Sequence, residues 1–292
     1  MIEAVPKTEV LEQTQLSHDF LMGSTVIVFK QKSGRMCSMV HNKLKQIFVE
    51  GRAALGSFVT CNSPDFVEIL ALAGFDFIVI DNEHGPMGQE SSQHLIRAAE
   101  LRGITPIVRI PDSAESTILH ILDVGAHGIQ VPQVNDRETA QAIVRYSKYS
   151  PLGRRGVAFP RSADYGLTDL DKYFSCANSQ TMIVSHCENT ACLENLDDIC
   201  QIPEIDVIFL GPYDLSQSMG ITGQVTHPRI REAAEKVVTA TRKYGKVAGI
   251  FAGTGAIAKE RAAQGFQYIT VGMDTTLFAA KCKQEAADFR KL

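Results

Sequence analysis

Residues 75–86 read Phe-Asp-Phe-Ile-Val-Ile-Asp-Asn-Glu-His-Gly-Pro. The run Phe75–Ile80 is mostly apolar, aromatic and β-branched, the pattern of a buried strand. It ends in Asp81, Asn82, Glu83 and His84, followed by a Gly85-Pro86 loop signal. Taken singly, each of these polar residues reads most simply as a loop residue solvating a strand end. An acid, an amide, an acid and an imidazole emptied together from a core strand suggest more. A parallel α/β barrel keeps its catalytic groups at the C-terminal strand ends.

Outward from this stretch, strand-like and helix-like segments alternate to the end of the chain. The strands expected are Leu55–Thr60, Phe75–Ile80, Thr105–Arg109, Gly128–Val131, Met182–Ser185, Val207–Leu210, Val247–Phe251 and Tyr268–Val271. Helices fit between them: Pro64–Ala73, Glu90–Arg102, Ala114–Val124, Arg137–Tyr146, Thr190–Cys200, Pro228–Tyr244, Ala256–Gln264 and Thr275–Phe289. Ser63-Pro64 reads as an N-cap followed by an N1 proline. Gly74, Gly103, Gly125, Gly245 and Gly265 read as C-terminal stops. The strands are short, apolar and non-alternating, as in a parallel sheet covered on both faces. Eight such units in about 240 residues predict a closed (β/α)8 TIM barrel. A doubly wound open sheet is the alternative, but no G-x-G-x-x-G follows the first strand. The long segment between Ser147 and Thr181, with Gly153-Arg154-Arg155-Gly156 and a helix over Asp169–Cys176, interrupts the rhythm as a lid or a subunit contact would.

At 292 residues and 45% hydrophobic content the chain can bury a sizeable core. A net charge of −4 gives no electrostatic reason to expect nucleic acid or an anionic membrane surface. No apolar run is long enough to cross a bilayer, and no signal-peptide pattern is found. Seven cysteines without a C-x-x-C pair predict reduced thiols in the cytoplasm. Cys187, Cys192 and Cys200 cluster, but with spacing that suits no familiar zinc site, and read as small core hydrophobes. Residues 1–41 lack periodicity and read as an N-terminal extension that packs on a neighbour. Residues 42–292 form the barrel domain, opened by a helix with Leu44, Ile47 and Phe48 on one face.

The barrel brings many ionisable groups to one rim: Asp81, Glu83 and His84 from strand two, Arg109 from strand three, and Gln130 and Gln133 from strand four. Strand five leads to His186 and Glu188, strand six to Gly211-Pro212-Tyr213-Asp214, and strand eight to Gly272 and Asp274. Convergence from separate strands predicts an enzyme. Glu188 and Asp214, on adjacent strands, would repel unless a cation joins them. Oxygen-only ligation suits Mg2+ or Mn2+. Equally, each could pair with an arginine or cap a helix. Arg109 could hold a substrate carboxylate or an enolate, or form a salt bridge to Glu83 or Asp81. His84 reads as a general base near neutral pH or as a hydrogen-bonded structural residue. No lysine stands at a strand C-terminus, so a Schiff base lacks its nucleophile, and a carbanion next to a carbonyl would need a metal as electron sink.

At these residues the chain resembles the HpcH/HpaI family of metal-dependent pyruvate aldolases, of the phosphoenolpyruvate/pyruvate barrel superfamily. The matching stretches are FDFIVIDNEHGPM, ITPIVRIP, ILDVGAHGIQVPQV, YSPLGRRGVA, VSHCEN, IDVIFLGPYDLSQSMG and YITVGMDTTLF, in the family's order. The resemblance implies reversible cleavage of a 4-hydroxy-2-oxo acid to pyruvate, or a near relative, and an aldehyde. It implies Glu188 and Asp214 as ligands of Mg2+ or Mn2+ (Co2+ or Zn2+ as alternatives), Arg109 on the pyruvate oxygen, and His84 as a base working through a metal-bound water. Backbone N–H groups around Gly211–Asp214 would hold the carboxylate, with Pro212, Tyr213 and Phe251 also at the substrate. The family pairs Asp123 with the catalytic histidine. Asp123 falls near the far end of the helix after strand three, so it could meet only a His84 of another subunit. Otherwise it is a solvated helix-end acid. The resemblance further implies a homo-oligomer, a hexamer built as a trimer of dimers, with a C-terminal helix available for exchange between subunits. His186 departs from the family, which has Gln there touching the substrate keto oxygen. Imidazole could donate that hydrogen bond or ligate the metal. A citramalyl- or malyl-CoA-type lyase is a rival reading, though no basic pocket for coenzyme A phosphates is evident. A non-catalytic barrel scaffold is another, but it would have no use for Glu188, Asp214 and Arg109 together.

Overall fold

A computed structural model describes residues 41–291 of the chain. All of the expected N-terminal extension but His41 lies outside the described residues. Eight strands, β1 (Ala54–Val59), β2 (Phe77–Asp81), β3 (Thr105–Arg109), β4 (Gly128–Val131), β5 (Met182–Cys187), β6 (Val207–Leu210), β7 (Val247–Ala252) and β8 (Tyr268–Met273), close into one barrel in sequence order. Every pair is parallel, and β8 returns to β1 with a register shift between Gly56 and Phe58. This is the expected (β/α)8 barrel.

Period-two alternation sorts the strand residues into two apolar cores. Ile78, Ile80, Val108, Ile183 and Ile208 face outward into the layer shared with the helices. Phe77, Val79, Ile107, Val184, Phe209 and Tyr268 point inward. Large inward rings need small neighbours, and Gly56 supplies one. A Cβ there would stand 2.3 Å from the Phe77 ring, well inside any van der Waals contact.

The helix Lys43–Val49 stoppers the N-terminal end of the barrel, placing Leu44 and Ile47 in the inner core. Burying two such side chains is worth roughly 1.5–3 kcal/mol each. Its polar groups fix the docking: Asn42 Nδ2 donates to the His127 carbonyl just before β4 (3.0 Å), and Lys45 Nζ pairs with Asp206 just before β6 (2.8 Å).

Several expected boundaries move. β2 starts two residues late and runs on through Asp81, whose ladder partner is Arg109. The expected helix Thr190–Cys200 is two short helices broken at Asn195, whose side chain donates to the Asn135 carbonyl (2.9 Å). Ser63 takes the N-cap position before Pro64 but makes no side-chain cap. The glycines expected to end helices, Gly74, Gly103, Gly125, Gly245 and Gly265, all take positive φ.

Candidate active site

The C-terminal ends of β2 and β3 present a buried ion pair. Arg109 Nε donates to Asp81 Oδ1 (2.8 Å) and Nη2 to Oδ2 (2.7 Å), a bidentate fork. Its Nη1 lies 3.1 Å from Glu83 Oε2. The guanidinium also lies over the Phe58 ring, 4.8 Å from the centroid. Of the two sequence readings of Arg109, the ion pair is therefore realised, with both acids. Two of its five N–H groups remain for a substrate oxygen. Asp81 has no solvent exposure. Burial pushes its carboxyl up, but the Arg109 fork and the N–H groups of His84 and Glu83 outweigh burial and hold it below the usual range. Glu83 goes the other way: burial raises it and Arg109 offsets only part. Removing one partner of such a buried pair costs about 3–5 kcal/mol. The loop beyond turns tightly on Asp81, whose Oδ1 accepts from both Glu83 N and His84 N (3.2 Å each), and it leaves His84 exposed at the rim.

β5 ends in the second half of the site. Glu188 is 3% exposed. Its Oε1 accepts from Gln133 N (2.7 Å) and its Oε2 lies 2.7 Å from His186 Nδ1. Gln133 reaches it because its backbone turns through φ 54°, a conformation rare outside glycine. Burial raises the Glu188 carboxyl, but His186 and Gln133 beside its two oxygens, with the charge of Arg109, bring it net below the ordinary range. It is therefore an anion held in a nearly dry site.

Gly211 joins the two metal candidates. A Cβ on Gly211 would lie 3.0 Å from Glu188 Oε2 and 3.9 Å from Asp214 Oδ2, so both carboxylates aim at the space above this residue. Among the described residues no cluster of three or more His, Cys, Asp or Glu side chains has the arrangement of a metal site. The donor set is thus two carboxylates with room left for water and substrate oxygens. That fits Mg2+ or Mn2+ and not a closed structural zinc site. Gly211 N–H is engaged with the Cys187 carbonyl (3.2 Å) and Pro212 has none, which leaves the first-turn N–H groups of Tyr213 and Asp214 for an anionic ligand. Tyr213, Phe251 and Phe58 form an aromatic wall from this turn towards Arg109, with ring centroids 6.1 and 6.2 Å apart.

Two expected rim residues, Asp274 and His186, behave otherwise, while Asp123 stands where its helix was expected to place it. Asp274 accepts from Thr60 N, Thr60 Oγ1 and Cys61 N (2.7–3.1 Å), tying β8 to the end of β1. Both ring nitrogens of His186 are engaged inside the barrel, with Glu188 and Gln130. Asp123 closes the helix Glu115–Asp123, as expected, and accepts from Arg155 Nη2 (2.7 Å). Arg155 is itself buried over the Tyr149 ring. Tyr268 Oη donates to Gln130 Oε1 (2.8 Å), a contact that escaped the sequence reading. Its only signal was a hydroxyl in the inner layer of a barrel.

The HpcH/HpaI aldolase/citrate lyase family profile matches residues 54–280. The 2-keto-3-deoxy-L-rhamnonate aldolase of Salmonella gallinarum (strain 287/91 / NCTC 13346) is 31% identical over 259 residues, covering 88% of this chain and 96% of its own. The HpcH/HpaI aldolase of Desulfitobacterium hafniense DCB-2 superimposes with a TM-score of 0.82 at 30% identity, over 85% and 97% of the two chains. The citrate synthase SbnG superimposes with a TM-score of 0.77 at 33% identity, over the same shares.

Proposed function

Since the chain belongs to the HpcH/HpaI aldolase/citrate lyase family and is by that membership a carbon–carbon lyase, we propose that it reversibly cleaves a 4-hydroxy-2-oxo acid to an aldehyde and pyruvate or a close 2-oxo acid. The observation that carries this reading is the convergence of Glu188 and Asp214 on the space above Gly211, across the rim from Arg109. Glu188 and Asp214 would hold Mg2+ or Mn2+, which when bound would supply positive charge beside the 2-oxo acid. Arg109 offers its two remaining N–H groups to the 2-oxo oxygen, with its plane fixed by Asp81. Tyr213 and Asp214 N–H receive the carboxylate. His84, at the exposed rim, takes the proton from the 4-hydroxyl. The C3–C4 electron pair then passes to the 2-oxo fragment as the aldehyde carbonyl forms, and return of the proton held by His84 to C3 completes pyruvate.

The protein works as a cytoplasmic homo-oligomer in this reading, with Asp123 of one subunit orienting His84 of another. Support comes from the C-terminal helix Asp274–Phe289, where Asp274 alone is buried and Phe278 and Phe289 are exposed, apolar surface that a neighbour would cover. No helix among the described residues is long and apolar enough to cross a membrane.

The test is pyruvate release from 4-hydroxy-2-oxo acids of varied chain length, coupled to NADH oxidation by lactate dehydrogenase, with and without EDTA. Chelation should abolish turnover and added Mg2+ or Mn2+ restore it. Equal rates with chelator would remove the metal from the reaction.

A further inference from the structure

Gln130, His186 and Tyr268 come from three different strands and are each no more than 1% exposed. None has a part in the reaction described above, yet they form one continuous chain ending on Glu188. Tyr268 Oη donates to Gln130 Oε1 (2.8 Å). That interaction turns the amide NH2 of Gln130 towards His186, whose Nε2 lies 2.7 Å from Gln130 Nε2. A nitrogen facing an NH2 group must accept, so Nε2 carries no proton. The remaining ring proton is on Nδ1, 2.7 Å from Glu188 Oε2, which as a carboxylate can only accept. Every link then donates in the same direction, from Tyr268 to Glu188. Phe209 stacks on the imidazole at 4.9 Å and 25°, which fixes the ring plane.

We propose that Gln130 and Tyr268 are positioning residues that act through His186 to aim Glu188, and that His186 orients this carboxylate and does not itself bind the 2-oxo acid. The inference rests on the reading of Glu188 as a metal ligand. With Gln133 N–H on Oε1 and His186 on Oε2, each carboxylate oxygen keeps one lone pair for a cation. The rotamer of Glu188 is then set by two anchors, one from the loop after β4 and one from β5, before any ligand arrives. The 2-oxo oxygen is left to Arg109 as its side-chain donor.

Tyr268→Phe removes the first donor and Gln130→Leu the middle link, both with little change of core volume. Full-length variants are compared with wild type for Mn2+ affinity by calorimetry and for melting temperature. The His186 ring nitrogens are read by 15N NMR on metal-free protein, assigned by their loss in His186→Gln. Wild type should show the proton on Nδ1 and a bare Nε2. Each single variant should bind Mn2+ more weakly, by on the order of 10- to 100-fold. The double variant should be no weaker than Gln130→Leu alone, because links in series do not add. A proton on Nε2 in wild type overturns the proposal, as does wild-type Mn2+ affinity in folded Gln130→Leu. Should Gln130→Leu not fold, Tyr268→Phe decides by the same criterion. If wild type binds no Mn2+, the metal reading of the site fails, and the NMR result still decides the direction of the chain.

Discussion

Gly211→Ala adds one methyl group at the point on which the candidate site converges. The backbone permits it, since Gly211 has φ −91° and ψ 90°. The effect is therefore steric. The new Cβ would stand 2.9 Å from Glu188 Cβ and 3.0 Å from Glu188 Oε2. Carbon atoms pack best at about 3.5–4.0 Å, so Glu188 has to retreat by roughly 0.5–1 Å. It is anchored at both oxygens by Gln133 N and His186, and a Cβ cannot swing aside as a side-chain tip can. A displacement of about 1 Å in a reacting constellation lowers the rate on the order of 100-fold, or about 2.7 kcal/mol in kcat/KM. Overpacking itself destabilises by about 1–3 kcal/mol. The assays are pyruvate release, Mn2+ titration and thermal melting, with Gly255→Ala as control because a Cβ there meets nothing within 4 Å. A folded Gly211→Ala enzyme that keeps kcat/KM and Mn2+ affinity within about threefold of wild type would refute the placement of Glu188 in the site, since threefold is well under the one decade that 1.36 kcal/mol represents.

Mixing inactive His84→Ala and Asp123→Ala chains should restore activity if sites are shared between subunits, and mixtures as inactive as either parent would disfavour sharing. Acid should destabilise the fold. Asp81 and Glu188 ionise below their unfolded values, so their contribution is complete above about pH 5 and fades as pH falls below about 4, through the lower folded values. Glu83 acts in the opposite sense. Its folded value is raised, so its contribution is present at low pH and is lost as pH rises through that value. The doubly forked Asp81 should dominate, and a melting temperature that rises between about pH 5 and pH 3 would contradict this balance.

The barrel was legible because its strands carry both of their buried faces in the sequence. Ile78 and Ile80 outside, and Phe77 and Val79 inside, make an unbroken apolar run. The rim was legible for the same reason: polar residues that interrupt such runs have few other places to go. Pairings within the rim were not. Whether Arg109 met Asp81 or Glu83 depended on register, and the structure uses both. Gln133 turning through φ 54° to reach Glu188 has no sequence signature, because glutamine is not a residue that invites positive φ. His186 read as a substrate contact or a metal ligand while its neighbours were unknown. The contact that takes its Nε2 comes from Gln130, 56 residues away in the chain, while Glu188 takes its Nδ1.

A barrel whose interior is filled by Phe77, Phe209 and Tyr268 above Leu44 and Ile47 leaves the site at its C-terminal rim no way through the barrel. Whatever enters must leave by the way it came, so the two fragments of a cleaved substrate form a queue. In the proposed reaction the 2-oxo acid is held deeper, by Arg109 and the Gly211 turn, and the aldehyde stands nearer the opening. The aldehyde must depart first, and the 2-oxo acid alone can rebind the empty enzyme. Product inhibition should show that order as competition with substrate by the 2-oxo acid and not by the aldehyde.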